Sequence, residues 1–342
     1  MKSTLSILVA ASTLAMLTAC GGSSSDDGVQ VIPPGSSVLA ITSTNQSSVA
    51  RVGINSALAV SMAEGALGSG GPISAAAATR AHAMGVIVRH ALQSASRKAV
   101  ASAGTHPAAV NSSTDNCAAG GTVTESLDDK DGNQQVTAGD VITTTFAQCR
   151  LSATDIIDGA VVITVTTTPV VTATSSQFAA SAQFQALAVT ADSATYTIAG
   201  LAAVTETDDD TTSLTHDTVT VGAGGLQVAV ASTSWNDTLK LGQGLVVTTV
   251  AGYDASTASV TVAGTLSSNS LGGQVTIATP VALAGAGTDA YPSSGQMIIT
   301  GATGSTLRLT VLDNTQVKLE LDADGNGSYE TTSTVAWTAL VP

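Results

Sequence analysis

Four oxygen-bearing side chains near the end of the chain have the spacing of a calcium site. Asp322, Asp324 and Asn326 place oxygen atoms at positions 1, 3 and 5 of a calcium-binding loop, glycine follows at position 6, and Glu330 stands at position 9. Calcium takes six to eight hard oxygen ligands, and alternate residues of a tight turn supply several of them. At position 12, however, Ser333 replaces the usual bidentate glutamate. Because Asp-Gly and Asn-Gly pairs are also ordinary turn formers, a calcium site and a plain turn both remain open.

A second acidic loop has a comparable pattern in the middle of the chain. Asp129, Asp131, Asn133 and Asp140 occupy positions 1, 3, 5 and 12, but Gly132 stands at position 4 instead of position 6. The same two interpretations apply, since this loop also contains an Asp-Gly pair. Calcium is the only cofactor that the sequence suggests.

The other reactive side chains do not form a recognisable catalytic set. The sequence has no G-x-S-x-G elbow, no phosphate-binding or dinucleotide-binding glycine motif and no zinc-ligand spacing. Ser213, His216 and Asp217 are the residue types of a hydrolytic triad, but His216 and Asp217 are neighbours and point to opposite faces of a strand. We therefore predict no catalytic residues and no enzyme activity, with a carboxylate-dependent hydrolase as the least favoured alternative.

The N-terminus predicts an exported and anchored protein. Lys2 precedes an apolar stretch at residues 5–17, which is shorter than the roughly 20 residues of a membrane-spanning helix. The stretch ends in Leu17-Thr18-Ala19-Cys20, which resembles the lipobox of bacterial lipoproteins. The resemblance implies that residues 1–19 are a signal peptide and that acyl chains on Cys20 anchor the mature chain. Gly21, in place of aspartate, implies the outer membrane. An ordinary cleaved signal peptide is the alternative.

Two further cysteines predict a disulfide bond between Cys117 and Cys149. Residues 122–127 and 141–146 are rich in β-formers, and the acidic loop lies between them, so a hairpin that turns near Asn133 brings the two cysteines together at its open end. An exported chain matures in an oxidising compartment, where such a pair forms a disulfide. Two buried free thiols are the alternative.

The N-terminal part of the mature chain divides into a tether and a helical segment. Residues 20–48 are rich in glycine, serine and proline, which is typical of a tether. Residues 49–106 are rich in alanine and have apolar residues at spacings of three and four, which predicts a weaker helix around 49–65 and a clearer one at 74–101. We expect these helices to cover one face or end of a sheet; the alternative is that the basic helix lies on the membrane or on a partner.

Residues 107–342 predict an antiparallel β domain. Alternating apolar and polar residues mark strands, for example at 218–221, 226–230 and 317–321. Short segments that contain glycine recur about every ten residues between the predicted strands, and we expect them to be turns. Residues 158–159 and 222–225 are examples. The sequence therefore predicts a mainly β protein with a long antiparallel meander, curved or partly closed, and an N-terminal Ala-rich helical segment.

The charge distribution limits the choice of partners. The chain has a net charge of −14, so it lacks the basic surface with which proteins bind nucleic acid. Residues 49–106 hold five basic residues against one acidic residue, whereas residues 107–342 hold five against 22, so the two parts are electrostatically complementary.

The ending of the chain, an alternating strand followed by D-x-D-G-N-G and Trp337, resembles the ends of other β-rich bacterial lipoproteins of unknown function, and so does the arrangement of Cys117, an Asp-Gly loop and Cys149. We expect a lipid-anchored envelope protein that acts as a structural or interaction module, with an envelope protein as a partner. A carrier that holds an apolar ligand in a curved sheet is the alternative.

Overall fold

The computed structural model describes residues 37–61, 111–191, 194–233, 235–252, 257–286, 289 and 291–341. These residues form two α-helices, a short 3-10 turn at residues 302–304 and one sheet of fifteen strands. The mainly β prediction is confirmed. The helix predicted at 74–101 and the anchor at Cys20 lie outside the described residues.

The helices and strands have the following bounds: α1 Gln46–Ser61, β1 Asn111–Asn116, β2 Thr122–Asp128, β3 Val141–Arg150, β4 Ile156–Val171, β5 Ser175–Ala191, β6 Ala194–Asp209, β7 Leu214–Ser232, β8 Asn236–Leu241, β9 Val246–Gly252, β10 Thr257–Ser268, β11 Gln274–Ala286, β12 Ser294–Thr300, β13 Thr306–Val311, β14 Gln316–Asp322, β15 Thr331–Ala336 and α2 Trp337–Leu340.

The sheet is an antiparallel meander in which each strand pairs with its neighbours in sequence. The strands follow one another in the order β1 to β15. The short strands β8 and β9 lie end to end and together fill one strand position, since each pairs with β7 on one side and β10 on the other. Because successive strands reverse direction, successive turns alternate between the two ends of the sheet. The confirmed meander therefore has two distinct ends, each with its own set of turns.

A line of β-bulges crosses the sheet from β3 to β10. At each crossing the register shifts by one or more residues, and the apolar side chains stay on one face: Phe184 and Leu187, on either side of the β5 bulge, are both fully buried. At Gly264 a Cβ would lie 2.6 Å from the Cα of Leu245, so the backbones approach there as only glycine allows. The residues on this line with positive φ are Gln148, Gly159, Ala186, Gly200, Gly224, Gly225, Gly244 and Gly264.

This line corrects part of the sequence interpretation. Residues 158–159 and 222–225 were expected to be turns, but they lie inside β4 and β7. The physical reason is that a glycine with positive φ serves a bulge as well as a turn, and only pairing with the neighbouring strands distinguishes the two.

Helix α1 packs against the inner face of the sheet. It contacts β8, β9, β10, β12 and β13, together with α2. Every residue at positions 52–57 is buried, as expected for a helix that is enclosed rather than amphipathic. The approach is closest at Gly53, where a Cβ would lie 2.5 Å from Cδ1 of Ile299. The weaker of the two predicted helices therefore exists and begins three residues earlier than expected.

The residues just before α1 are part of the folded body. The backbone N–H of Leu39 donates to the Gln274 carbonyl at 2.9 Å, the Gln274 N–H donates to the Ser37 carbonyl at 2.9 Å, and Ile41 is fully buried. Residues 37–48, which we assigned to the tether, are therefore held by backbone hydrogen bonds and apolar burial. We call the end of the sheet where they join, next to the turn at 301–305, the entry end, and the opposite end the far end.

Polar side chains of α1 fasten it to α2 at the far end. The Asn55 amide donates to the Leu340 carbonyl at 2.8 Å, and the Arg51 guanidinium donates to the Ala339 carbonyl at 2.7 Å. These bonds satisfy carbonyls at the end of α2 that have no partner within the helix. Trp337 is buried beneath them, donates its indole N–H to the Asp313 carbonyl at 3.1 Å and stacks on Tyr291.

We expect Gly53→Ala to destabilise the protein. Alanine favours a helix interior over glycine by about 1 kcal/mol, but the added methyl group would overlap Cδ1 of Ile299. Because Ile299 is fully buried, its side chain can turn away only by displacing other core atoms. Ile299→Val removes that atom, so the double variant should recover most of the loss, with a coupling free energy of about 1 kcal/mol. Urea unfolding of the four proteins in the cycle measures this coupling. A more stable Gly53→Ala protein would contradict the close approach.

Candidate metal centres

The two acidic loops lie at opposite ends of the strands and near opposite edges of the sheet. The loop between β2 and β3, which we call the hairpin loop, is at the far end, and the loop between β14 and β15, which we call the C-terminal loop, is at the entry end. The predicted hairpin is confirmed, since Thr122 pairs with Ala147 and Asp128 pairs with Val141.

The structure brings together three carboxylates in each loop. In the hairpin loop these belong to Asp129, Asp131 and Asp140, and in each loop one oxygen atom per residue lies within 4.8 Å of the others. Asp140 is fully buried, and its oxygens accept from the backbone N–H of Lys130 at 2.8 Å and of Thr137 at 2.7 Å. This acid therefore closes the loop from the start of β3.

The C-terminal loop has the same arrangement, with Asp322, Asp324 and Glu330 as its acids. The oxygens of Asp322 accept from the backbone N–H of Gly325 at 2.7 Å and of Gly327 at 2.8 Å. Glu330 closes the loop by accepting from the N–H of Ala323 at 3.0 Å.

The hydrogen bonds made by the acids at positions 1 and 3 are similar in the two loops. Asp129 accepts from the N–H groups three and five residues later, at 2.8 and 2.7 Å, as Asp322 does. The asparagine amide at position 5 donates to the acid at position 3 in both loops, from Asn133 to Asp131 at 2.7 Å and from Asn326 to Asp324 at 3.0 Å. The shared sequence is D-x-D-G-N, and the two loops are versions of one structure.

This likeness corrects our reading of the glycines. We took Gly132 at position 4 as a mismatch, but Gly325 also stands at position 4, and the two have φ values of 70° and 75°. Position 6 has positive φ in both loops as well, occupied by Gly327 in one and by Gln134, with φ of 62°, in the other. The common D-x-D-G-N was visible in the sequence, and direct comparison of the two loops would have found it.

The ionisation of Asp322 is set by opposing effects. Burial raises the pKa of its carboxyl group, and the backbone N–H groups of Gly327, Gly325 and Asn326, with a hydrogen bond shared with Asp324, lower it by more. The net direction is downward, so Asp322 is held as a carboxylate.

The chemistry of the donor set suits a hard cation. The three side chains of each loop offer carboxylate oxygens only, without the histidine or cysteine ligands that zinc prefers. Asn133 and Asn326, the fourth predicted ligands, lie beside the acids and orient the acid at position 3. The residues present therefore fit calcium, with Asp322, Asp324 and Glu330 in one loop and Asp129, Asp131 and Asp140 in the other as the groups that would hold it.

An outer-face cluster fixes the C-terminal loop to the sheet. Arg308 on β13 donates to Glu320 on β14 at 2.8 Å, Lys318 donates to the other Glu320 oxygen at 2.7 Å, and the Arg308 guanidinium lies 4.0 Å above the ring of Tyr329 in the loop. The hydrogen bond from Arg308, helped by Lys318, lowers the pKa of Glu320 against the opposing effect of burial.

The predicted disulfide bond between Cys117 and Cys149 is confirmed. It joins the β1–β2 turn to β3 at the entry end, with the two Cα atoms 5.4 Å apart. Backbone hydrogen bonds accompany it, since the Cys117 N–H donates to the Gly121 carbonyl at 3.1 Å and the Arg150 N–H donates to the Gly120 carbonyl at 2.8 Å. The bond stabilises the edge of the sheet that precedes the hairpin loop.

Comparison of the chain with protein-family models, with curated proteins and with solved structures finds no match in any of the three. Neither of the described helices is long and apolar enough to cross a membrane.

We expect calcium to raise the melting temperature of the protein relative to EDTA. A site that binds only the folded state adds RT ln(1 + [L]/Kd), which is about 4 kcal/mol for millimolar calcium over a micromolar site. Asp324→Asn and Asp131→Asn should each remove the contribution of one loop, because each neutralises an exposed ligand. Asp209→Asn, at a hairpin tip, is the control that should keep the full shift. Equal melting temperatures in calcium and EDTA would show that neither loop binds calcium and that both are ordinary turns.

We expect Glu320 to contribute to the fall in stability at low pH. Its folded-state pKa lies below the ordinary 4.5, so the stability it adds is fully present above that pH and is lost as the pH falls through the folded value. Urea unfolding of the wild type and Glu320→Gln, from neutral pH down to about pH 3, should show a stability difference that narrows as the pH falls. A difference that stays constant with pH would show that the Arg308 contact does not depend on the charge.

Proposed function

We propose that the protein is a lipid-anchored, non-enzymatic module of the cell envelope, held in the outer membrane through acyl chains on Cys20. The observation that carries this proposal is the attachment of residues 37–41 to one end of the sheet. Ser37 follows Cys20 by 17 residues, a length of chain that spans at most about 60 Å. An anchor at Cys20 would therefore join the folded body at its entry end, and we place the entry end toward the bilayer and the far end away from it.

The far end has the exposed surface that an interaction module requires. Residues 166–174, around the β4–β5 turn, are all exposed except Pro169, and Val171 is 80% exposed. The backbone of Pro169 cannot donate a hydrogen bond, so this part of β4 is a poor template for pairing with a strand of another molecule. The acidic turn that follows Asp208 and Asp209 lies beside it. An envelope protein partner would meet this mixed valine, threonine and carboxylate surface.

We expect Cys20→Ala to release the protein from the membrane. Without a thiol at position 20 no diacylglycerol is attached, and the remaining chain has little attraction for anionic lipid because its net charge is −14. Fractionation of cells, together with metabolic labelling by palmitate, measures the change. Gly21→Ala keeps the thiol and serves as the control, which should stay labelled and membrane-bound. Membrane retention of unlabelled Cys20→Ala protein would contradict lipid anchoring.

Photo-crosslinking tests the orientation. A photoreactive amino acid at Thr303, which is exposed at the entry end, should give adducts with lipid, whereas the same group at Val171 should give adducts with envelope protein. Lipid adducts at Val171, or equal adducts at both positions, would contradict the proposed orientation.

A further inference from the structure

Within the described residues, the two edges of the sheet are open. Strand β1 pairs only with β2, and β15 pairs only with β14. The fifteen strands fill fourteen positions, because β8 and β9 share one. Fourteen is an even number, so the two edge strands of an antiparallel sheet run in opposite directions: β1 runs toward the entry end and β15 runs away from it. A second copy in the same orientation therefore presents its β1 antiparallel to β15 of the first.

Alternate residues of β15 direct their backbone groups toward the open edge. The Trp337 N–H donates to the Thr315 carbonyl at 3.0 Å, in register with the pairing of β14 and β15. In an antiparallel ladder every second pair of opposed residues exchanges hydrogen bonds. Residues 333 and 335 are therefore the ones that bond to β14. Residues 332, 334 and 336 direct their N–H and carbonyl groups outward.

Strand β1 has a matching set on the other edge. The Cys117 N–H donates to the Gly121 carbonyl at 3.1 Å, in register with the pairing of β1 and β2. By the same alternation, residues 112, 114 and 116 direct their backbone groups away from β2. These three residues and the three on β15 are all exposed.

Strand β15 lacks the features that protect an edge strand from pairing. Its six residues are Thr-Thr-Ser-Thr-Val-Ala, without proline, glycine or charge. Threonine and valine favour the extended conformation. The exposed part of β4, in contrast, contains Pro169. An uncharged, regular edge of this kind is a template for a strand of another molecule.

The charge distribution favours contact between the two different edges. The chain has a net charge of −14, so copies of it repel each other in general. Strands β13–β15 carry no net charge, because Arg308 and Lys318 balance Glu320 and Asp322. Strands β1 and β2 contain three acidic residues and no basic one. Two β1 edges would therefore repel each other, whereas β15 beside β1 brings no second acidic edge into contact.

A shared anchored orientation disfavours contact between two β15 strands. Antiparallel pairing of β15 with itself points the entry ends of the two copies in opposite directions. If both entry ends face one membrane, two β15 strands meet only in parallel, with the buried face of one sheet beside the exposed face of the other. Pairing of β15 with β1 keeps both the entry ends and the buried faces on the same sides.

On the basis of the anchored orientation proposed above, we propose that β15 of one copy pairs with β1 of a second copy, with Thr334 opposite Thr114. Residues 332 and 336 then lie opposite residues 116 and 112, and each of these pairs exchanges two hydrogen bonds. The Thr114 hydroxyl already lies 2.9 Å from the Thr124 hydroxyl on the outer face, so Thr334 extends a row of threonines. This contact joins unlike edges, so its repetition continues the sheet from copy to copy along the membrane. Anchoring raises the effective concentration of the copies, which a contact of six residues needs.

Disulfide crosslinking in whole cells tests the pairing. Thr334→Cys and Thr114→Cys are made in separate full-length chains with different tags and are co-expressed, so that only a bond between copies joins the tags. Opposed residues that exchange hydrogen bonds have Cα atoms about 5.5 Å apart, within reach of a disulfide. The matched control replaces Thr334→Cys by Thr205→Cys, at an exposed threonine on the central strand β6. Oxidation should give at least about tenfold more mixed dimer from the edge pair than from the control pair.

The crosslinks decide the pairing, and palmitate labelling of the same cells decides the anchor separately. Unchanged thermal melting of each purified variant shows that the sheet remains folded. A mixed dimer that depends on positions 334 and 114 supports the proposal, even in cells where the protein carries no label. Absence of the mixed dimer, an equal yield from the control pair, or a dimer of Thr334→Cys with itself would overturn it, even where the protein is labelled.

Discussion

The structure depends on keeping one face of the sheet apolar across a line where the strands bend. A β-strand alternates its side chains between two faces. One extra residue would therefore move every later apolar side chain of that strand from the buried face to the exposed face. From β3 to β10 the bulges occur next to one another, and each strand adjusts its register at the same level as its neighbours. The apolar rows above and below the line therefore join in one core.

The conformations on this line explain how it is tolerated. Most of its residues with positive φ are glycine, and the remaining two, Gln148 and Ala186, adopt a conformation that costs an ordinary residue about 1 kcal/mol. With few aromatic residues, at 3% of the chain, the core is filled by valine, isoleucine, leucine and alanine. A core of small side chains must pack closely, and at Gly53 and Gly264 this close packing leaves no space for a Cβ atom.

The sequence predicts the local features well, because short-range physics determines them. Alternation at 226–230 and 317–321 predicts strands of the meander, and the spacing of Cys117, the Asp-Gly loop and Cys149 predicts both the hairpin and the disulfide bond. The three acids of each loop are also close in sequence, so their clustering is predictable.

What could not be predicted depends on pairing between distant segments. Whether Gly222–Gly225 is a turn or a bulge is decided by β6, β8 and β9, and the enclosure of α1 is decided by strands more than 170 residues away. The register that pairs Glu206 on β6 with Asp217 on β7 is likewise set by strand pairing, which their sequence positions alone do not give.

The bonds between α1 and α2 have a consequence for the order of folding. Each hairpin of the meander can form from two neighbouring strands, because its contacts are local. Helix α1 is the exception, since Arg51 and Asn55 bind carbonyls at residues 339 and 340. Contacts that join residues so far apart in sequence form later than local ones. The far end of α1 should therefore be fixed in place only after the hairpins of the meander have formed.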